Sequence, residues 1–187
     1  MTPDRPETTD DSAADDDADA DADSSNSTAP LWGDLLEDAR DIAEEYRDDG
    51  WDVVVLEPTR VSPVEIDERV GLDVTVSDDE YDLVSDRIEA GGVTISAADV
   101  YYRPLTDGGS DRRVALAVER DEDEETAIFV PLSYDITETR SVFETALVDE
   151  ELLIHVLSDP DDGWVSFSHD DPSLFVEESD VQNWAAE

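Results

Sequence analysis

The chain has 187 residues, of which 54 are Asp or Glu and 11 are Arg, with no Lys, so its formal net charge at pH 7 is −43. The absence of Cys excludes disulfides, thiolate metal sites, iron–sulfur clusters and a Cys nucleophile. The absence of Lys excludes a P-loop, Schiff-base catalysis and covalent attachment of pyridoxal phosphate.

The charge also indicates an environment. Like charges at this density destabilise a compact state, but salt screens them, because the Debye length falls to about 3 Å at 1 M salt. Asp outnumbers Glu 34 to 20, and all eleven strongly basic side chains are Arg. We therefore expect a halophilic, cytoplasmic protein that needs high salt to fold.

The composition limits the partners in the same way. No apolar stretch approaches the roughly 18 residues of a membrane span, and the N-terminus lacks the pattern of a secretion signal, so we expect no membrane. Nucleic acid is not expected either, because phosphate binding depends on clustered basic side chains. The small basic cluster of Arg103, Arg112 and Arg113 is interpreted as a solvated strand end. A homo-oligomer or a protein partner stays open.

Two regions differ in composition. Residues 1–29 contain nine Asp and almost no large apolar side chain, which predicts a disordered acidic tail. Residues 30–187 contain aromatic side chains and apolar runs such as Val53–Leu56, Ala127–Val130 and Leu152–Ile154. An entirely disordered chain is thereby rejected, and we predict one α+β domain over residues 30–187.

The first predicted element is an amphipathic helix over residues 31–49, because apolar residues recur there at steps of three and four. Gly50 follows where a left-handed helix cap is needed, and Trp51 is expected to fold back on the last turn. The continuous apolar run of residues 52–57 predicts a strand buried on both faces.

Two prolines follow the first predicted strand. Pro58 and Pro63 are expected to interrupt regular structure before a short strand at residues 72–76. Residues 77–80, Ser-Asp-Asp-Glu, form a capping box, which predicts a helix from residue 78 to about 90.

The next segment predicts strands. Residues 93–103 are expected to be extended, and residues 107–110 form a turn. A hairpin joins residues 114–118 to residues 126–133, and both strands are apolar enough to be central. In the first of these strands Val114, Leu116 and Val118 are expected to share one face, and Ala115 and Ala117 the other. Pro131 cannot donate a ladder hydrogen bond, so it is expected to mark a bulge or the strand end.

The rest of the chain completes the fold. Residues 135–138 resemble a helix start, and a third helix with one apolar stripe follows them. The last predicted hairpin joins residues 152–157 to residues 164–168. Runs of sequential strands favour an α+β fold with a mostly antiparallel sheet of about 6–7 strands, flanked by about three helices and preceded by the acidic tail.

The two histidines, His155 and His169, both fall in this last hairpin. If Ser158 pairs with Trp164 across the turn, both histidines lie on one face of the hairpin, on diagonally related positions. A register change of one residue would separate them.

No residue is assigned to catalysis, a cofactor or a metal, and we expect no cofactor. His155 and His169 are the candidates for catalysis. With Asp170 or Asp171 they approach a site of two histidines and one carboxylate, suited to a metal or to acid–base chemistry. The alternative is structural, with one histidine beside the core, the other at a strand end, and the Asp-Pro step beginning a turn.

Two further sets of charged residues are candidates for binding or catalysis. Arg60 and Arg69 could bind an anion, but pairing with nearby Glu65, Asp67 or Glu68 is the favoured interpretation. Carboxylate pairs carry no signal in so acidic a chain, so a glycosidase dyad is neither supported nor excluded.

Four short segments carry a family resemblance: Asp49-Gly50-Trp51-Asp52-Val53-Val54, Gly71-Leu72-Asp73-Val74, Val130-Pro131-Leu132-Ser133-Tyr134 and His169-Asp170-Asp171-Pro172. Over roughly residues 31–176 the chain resembles a family of uncharacterised, acidic haloarchaeal proteins, a domain of unknown function. The resemblance implies no activity, cofactor or catalytic residue.

Two hypotheses follow. The first is a non-enzymatic, cytoplasmic binding or protein-interaction module adapted to high salt. The alternative is a metal-dependent hydrolase using His155, His169 and Asp170 or Asp171. Whether the protein is an enzyme stays open, with the binding module preferred because familiar catalytic motifs are missing.

Overall fold

The computed structural model describes residues 29–103 and 111–187. The predicted acidic tail lies outside the described residues apart from Ala29, and so does the predicted turn at residues 107–110. The described residues form four α-helices and eight strands, which confirms the α+β class.

The α-helices are α1 (Ala29–Asp48), α2 (Asp78–Ser85), α3 (Arg140–Asp149) and α4 (Glu178–Ala185). A π-helical turn, Asp86–Ala90, continues α2, and a 3-10 turn, Pro172–Phe175, precedes α4. The strands are β1 (Asp52–Val55), β2 (Arg60–Ile66), β3 (Arg69–Thr75), β4 (Ala97–Arg103), β5 (Arg112–Asp121), β6 (Thr126–Asp135), β7 (Leu152–Leu157) and β8 (Val165–His169).

The strands form two four-stranded mixed sheets. The first sheet has the order β1-β6-β5-β4 and the second has the order β2-β3-β7-β8. β1 runs parallel to β6 and β3 runs parallel to β7, while the other neighbours are antiparallel. Four of the six pairings are antiparallel, as expected, but the described strands form two sheets instead of one and number eight instead of about 6–7. The described residues also form four α-helices instead of about three.

The main core lies between the two sheets. On β5, Ala115 and Ala117 belong to this core, while Val114, Leu116 and Val118 face α1 on the other side of the first sheet. The alternation predicted for this strand is confirmed. We call the face of each sheet that points to the main core its inner face, and the opposite face its outer face.

α1 covers the outer face of the first sheet. Its buried residues Leu35, Ala39 and Ala43 pack there against β1, β5 and β6. Gly50 ends the helix with φ of 96°, and the ring of Trp51 lies 5.2 Å from that of Tyr46 in an edge-on contact. The predicted helix, cap and fold-back are confirmed.

Two prolines behave differently from the expectation. Pro63 lies inside β2, which is an edge strand, and edge strands tolerate a residue without an N–H. Pro131 lies within β6, opposite Leu116. The carbonyl of Phe129 accepts from Leu56 on the β1 side, so Pro131 also faces that side, beyond the end of β1. Neither proline therefore breaks its strand.

Local signals set several other boundaries. The capping box of Ser77 and Glu80 is confirmed, with hydrogen bonds between each side chain and the other residue's backbone N–H. The side chain of Asp135 accepts from the N–H groups of Thr137 and Glu138, but α3 begins only at Arg140. α4 was not predicted from the sequence.

Candidate functional site

The register of β7 and β8 decides the position of the two histidines. Leu152 pairs with His169, and His155 pairs with Ser166, one residue away from the predicted register. The register in which both histidines would share a face is not the one found: Phe167 and His169 lie on the inner face of the second sheet, and His155 lies on the outer face.

His169 lies in a buried pair. Its Nε2 atom is 2.6 Å from Oε1 of Glu119, and its ring contacts the ring of Phe175 at 5.1 Å. His169, Asp170 and Asp171 do line one cavity of about 350 Å³, but Asp171 accepts a hydrogen bond from the N–H of Ser173 as a turn residue. The Asp-Pro turn predicted as the structural alternative is thus present.

The metal hypothesis requires both histidines around one ion. The second sheet separates His155 from His169, so the proposed ligand set cannot converge. Within residues 29–103 and 111–187, no group of three or more His, Asp or Glu side chains is arranged to hold a metal ion.

The outer face of the second sheet carries a polar row, which we define as Ser62, Asp73, His155 and Ser166. These residues are directly paired neighbours on β2, β3, β7 and β8. Neighbouring strands lie about 4.8 Å apart, so the four side chains cross the sheet side by side.

His155 is the buried centre of this row. Only 1% of its surface is exposed. Its Nδ1 atom lies 2.7 Å from Oγ of Ser166, and its Nε2 atom lies 3.2 Å from the carbonyl oxygen of Val70. Burial lowers the pKa of His155, although the Val70 hydrogen bond and the nearby Asp73 oppose this shift. The imidazole is therefore held in its neutral form.

Asp73 and Arg69 form an incompletely satisfied pair beside His155. Arg69 Nη2 lies 3.2 Å from Asp73 Oδ2. The favoured interpretation of the sequence paired Arg69 instead with Glu65, Asp67 or Glu68. Asp73 Oδ1 and Arg69 Nε are buried without a hydrogen-bond partner among the described residues. Burial raises the pKa of Asp73, against the opposing effects of Arg69 and His155.

Trp164 closes one side of this group. The guanidinium carbon of Arg69 lies 4.7 Å from its ring centre, and the ring of His155 contacts it edge-on at 6.3 Å. Trp164 and Ile66 are 39% and 59% exposed, which is high for such large apolar side chains. They line a cavity of about 520 Å³ together with Asp67, Glu68 and Arg69.

A second cavity of about 450 Å³ lies beside β2, near the point where β1 ends. We call it the arginine cleft; its walls are formed by Trp32, Pro58, Thr59, Arg60, Val61, Ser62, Arg112, Ser133 and Glu138. Two arginines and one glutamate line these walls, in a chain whose net charge is −43.

Arg60 is unusual among the arginines that the structure describes. Seven of those ten side chains pair with carboxylates: Arg40, Arg69, Arg87, Arg103, Arg113, Arg120 and Arg140. The guanidinium of Arg60 has neither an ion pair nor a hydrogen bond with any described residue, and the acids favoured as its partners do not reach it.

The basic cluster of Arg103, Arg112 and Arg113 does not form a common patch. Arg103 pairs with Asp38, and the buried Arg113 has its Nη2 atom 2.7 Å from Oδ1 of Asp180.

Among the helices in the described parts of the chain, none is both long and apolar enough to span a bilayer.

Comparison with known proteins places the chain. A model described as a family of unknown function, DUF7529, matches residues 18–177. The chain belongs to this family. No curated protein and no solved structure matches it.

In this DUF7529 member, sequence reasoning singled out His155 but missed Asp73 and Ser166. Each pairs directly with His155 across the sheet, one on β3 and the other on β8. The correct hairpin register would have indicated Ser166. Asp73 carried no comparable signal, because its partnership with His155 depends on a parallel pairing between distant strands.

Proposed function

We propose that this chain is a binding module of a haloarchaeal cytoplasm, adapted to high salt, and that its ligand is a small oxyanion held in the arginine cleft. The observation that supports the ligand is the guanidinium of Arg60, which has no partner among the described residues. The composition supports the setting, because Asp-rich, Lys-free surfaces suit multimolar salt.

The chemistry of arginine narrows the ligand. A guanidinium presents its N–H groups in a planar fork that matches a carboxylate or phosphate better than it matches a spherical chloride ion. Arg60 lines the cleft and is the guanidinium that we assign to this group. Selection by geometry matters at high salt, because screening weakens purely electrostatic attraction there.

The cleft also suits an organic ligand. A volume of about 450 Å³ falls in the range typical of small-molecule sites. Trp32 supplies a flat apolar wall and Ser62 and Ser133 supply hydroxyl groups. A planar carboxylate such as benzoate combines an oxyanion with a ring that can stack on Trp32, whereas inorganic phosphate tests the oxyanion alone.

The test is calorimetric titration with benzoate and with inorganic phosphate in multimolar KCl. Arg60→Gln is expected to weaken binding about tenfold, since a charge-assisted hydrogen bond contributes about 1.5–3 kcal/mol. Arg40→Gln is the matched control, because Arg40 already pairs with Glu57 outside the cleft. Equal binding by wild type and Arg60→Gln, or no binding of either probe, would contradict the proposal.

A homo-oligomer or a protein partner stays a prediction of the sequence. Light scattering at native salt tests the first, and it is independent of the arginine cleft.

A further inference from the structure

The hydrogen bonds of His155 fix which ring nitrogen carries its proton. The Val70 carbonyl can only accept, so Nε2, at 3.2 Å, is the N–H donor of the neutral ring. Nδ1 is then an acceptor, and the Ser166 hydroxyl, 2.7 Å away, donates to it. A backbone carbonyl thus orients a basic nitrogen toward a serine hydroxyl.

The two side chains differ in accessibility in a useful way. His155 is buried, and burial lowers its pKa, so the ring is unprotonated at neutral pH. Ser166 lies on the same face but is exposed. A neutral base that accepts a hydrogen bond from an exposed hydroxyl group is the arrangement that activates a serine nucleophile.

We propose that Ser166 is a nucleophile for acyl transfer, with His155 as its general base, and that the substrate is an uncharged short-chain ester. Ser166 Oγ attacks the carbonyl carbon and forms a new C–O bond, while Nδ1 of His155 takes the hydroxyl proton. The bond to the alkoxy group breaks, and that group leaves as an alcohol with this proton. Water then hydrolyses the acyl-serine, and the free acid and Ser166 are released.

In this proposal, Arg69 supports the charge that develops on the carbonyl oxygen. Its guanidinium stacks on Trp164, which itself contacts His155, and its Nε–H group has no partner among the described residues. A donor fixed in a poorly solvated site stabilises a developing oxyanion more than it does in water. Arg69 is therefore the residue that we assign to this role.

Arg69 and Trp164 lie beside His155 and also line a cavity, and the other walls of that cavity indicate the substrate class. Ile66 and Trp164 offer apolar walls to a short acyl chain in about 520 Å³. Asp67 and Glu68 line the same cavity and repel an ester that carries its own carboxylate. The cavity is separate from the arginine cleft, so failure of either proposal leaves the other standing.

Ser168 is a built-in control. It is exposed on the same face of the same strand, two residues from Ser166, but its hydroxyl donates to the carboxylate of Glu151 at 2.6 Å. It therefore has comparable access to reagents without a histidine base.

The first experiment treats the full chain in multimolar KCl with a fluorophosphonate, which forms a Ser Oγ–phosphorus bond as fluoride leaves. Peptide mass spectrometry is expected to find the label on Ser166 at least about tenfold above Ser168, in line with the contribution of a general base. Equal labelling of the two serines, or no label on Ser166, would overturn the proposal.

The second experiment follows hydrolysis of p-nitrophenyl acetate and p-nitrophenyl succinate. Ser166→Ala and His155→Gln are each expected to abolish the activity above the solvent rate, while Ser168→Ala retains it. For wild type, the rate should rise with pH through the lowered pKa of His155 and then level off, and the acetate ester should be preferred. If Ser166→Ala keeps its fold by circular dichroism and its activity is unchanged, Ser166 is not the nucleophile.

Discussion

The Nε2 atom of His169 lies 2.6 Å from Oε1 of Glu119, and both side chains are buried on the inner faces of opposing sheets. Glu119 Oε2 has no partner among the described residues. Removing one member of such a pair leaves the other buried without compensation. We expect His169→Leu to lower the free energy of unfolding by about 3–5 kcal/mol.

The double variant Glu119→Leu with His169→Leu serves as the control for this pair. Replacing both polar groups by apolar ones is expected to recover most of the loss, because no buried polar group is then left without a partner. Urea denaturation at constant high salt measures both variants. A double variant as unstable as the single one would show that packing, and not the unpaired Glu119 side chain, causes the effect.

Gly71 in β3 is a second point of sensitivity. Its φ is 145°, and a Cβ there would lie 2.1 Å from the carbonyl oxygen of Leu153 on β7. Gly71→Ala is expected to cost at least about 2 kcal/mol through backbone strain and overlap. Gly33→Ala in α1 meets no atom within 4 Å and should gain about 0.5–1 kcal/mol. Equal melting temperatures for the two variants would contradict the close approach of β3 and β7.

The pH dependence of stability reports on His155. Its pKa in the folded protein lies below the ordinary value of 6.5, so the unfolded chain takes up a proton first as the pH falls. Stability contributed by the neutral ring is complete above pH 6.5 and is lost progressively as the pH falls toward the lowered pKa. We expect this acid loss to be smaller in His155→Gln, as measured by urea denaturation across the window. Parallel curves for wild type and variant would contradict the burial of this ring.

α4 carries a buried ion pair. Arg113 donates from Nη2 to Asp180 Oδ1 at 2.7 Å and from Nε to Asp180 Oδ2 at 3.3 Å. Asp180→Ala is expected to lower the free energy of unfolding by about 1.5–3 kcal/mol and to speed hydrogen exchange in α4. The reason is that Arg113 stays buried beside Glu177, whose Oε2 atom lies 3.8 Å from Nη2 of Arg113. Ser179→Ala, an exposed neighbour, should change neither quantity. Unaltered exchange in Asp180→Ala would mean that the Asp180 carboxylate does not hold α4 in place.

The folded state is expected to depend on salt concentration. Moving the protein from multimolar KCl into dilute buffer is expected to unfold residues 31–187, because the repulsion within a chain of net charge −43 is then unscreened. Far-ultraviolet circular dichroism at fixed protein concentration follows the change. A spectrum that is the same at both salt concentrations would contradict the halophilic interpretation.

Features with a local cause were predictable from the sequence. The capping box of Ser77 and Glu80, the left-handed Gly50 and the alternation along β5 each follow from a few neighbouring residues, and each is confirmed. α4 was missed because its eight residues include few apolar ones, and its docking depends on Arg113, which is distant in sequence.

The register of the last hairpin was not predictable, and β7 explains why. Leu152, Ile154 and Val156 form one apolar face, but Leu153 and Leu157 make the other face apolar as well around His155. Either face could have met the core. The choice depends on the parallel pairing of β7 with β3, which follows from the fold as a whole. The division of strands between two sheets was hidden for the same reason.

The pairing of β7 with β8 sets both the core and the contact between His155 and Ser166. Because the side chains of a strand alternate, a shift of one residue in this pairing would turn Phe167 and His169 to the outer face and Ser166 to the inner face. The main core would lose apolar side chains in the same step that separated the serine from its base. The burial of Phe167 therefore fixes the register on which the contact between these two side chains depends.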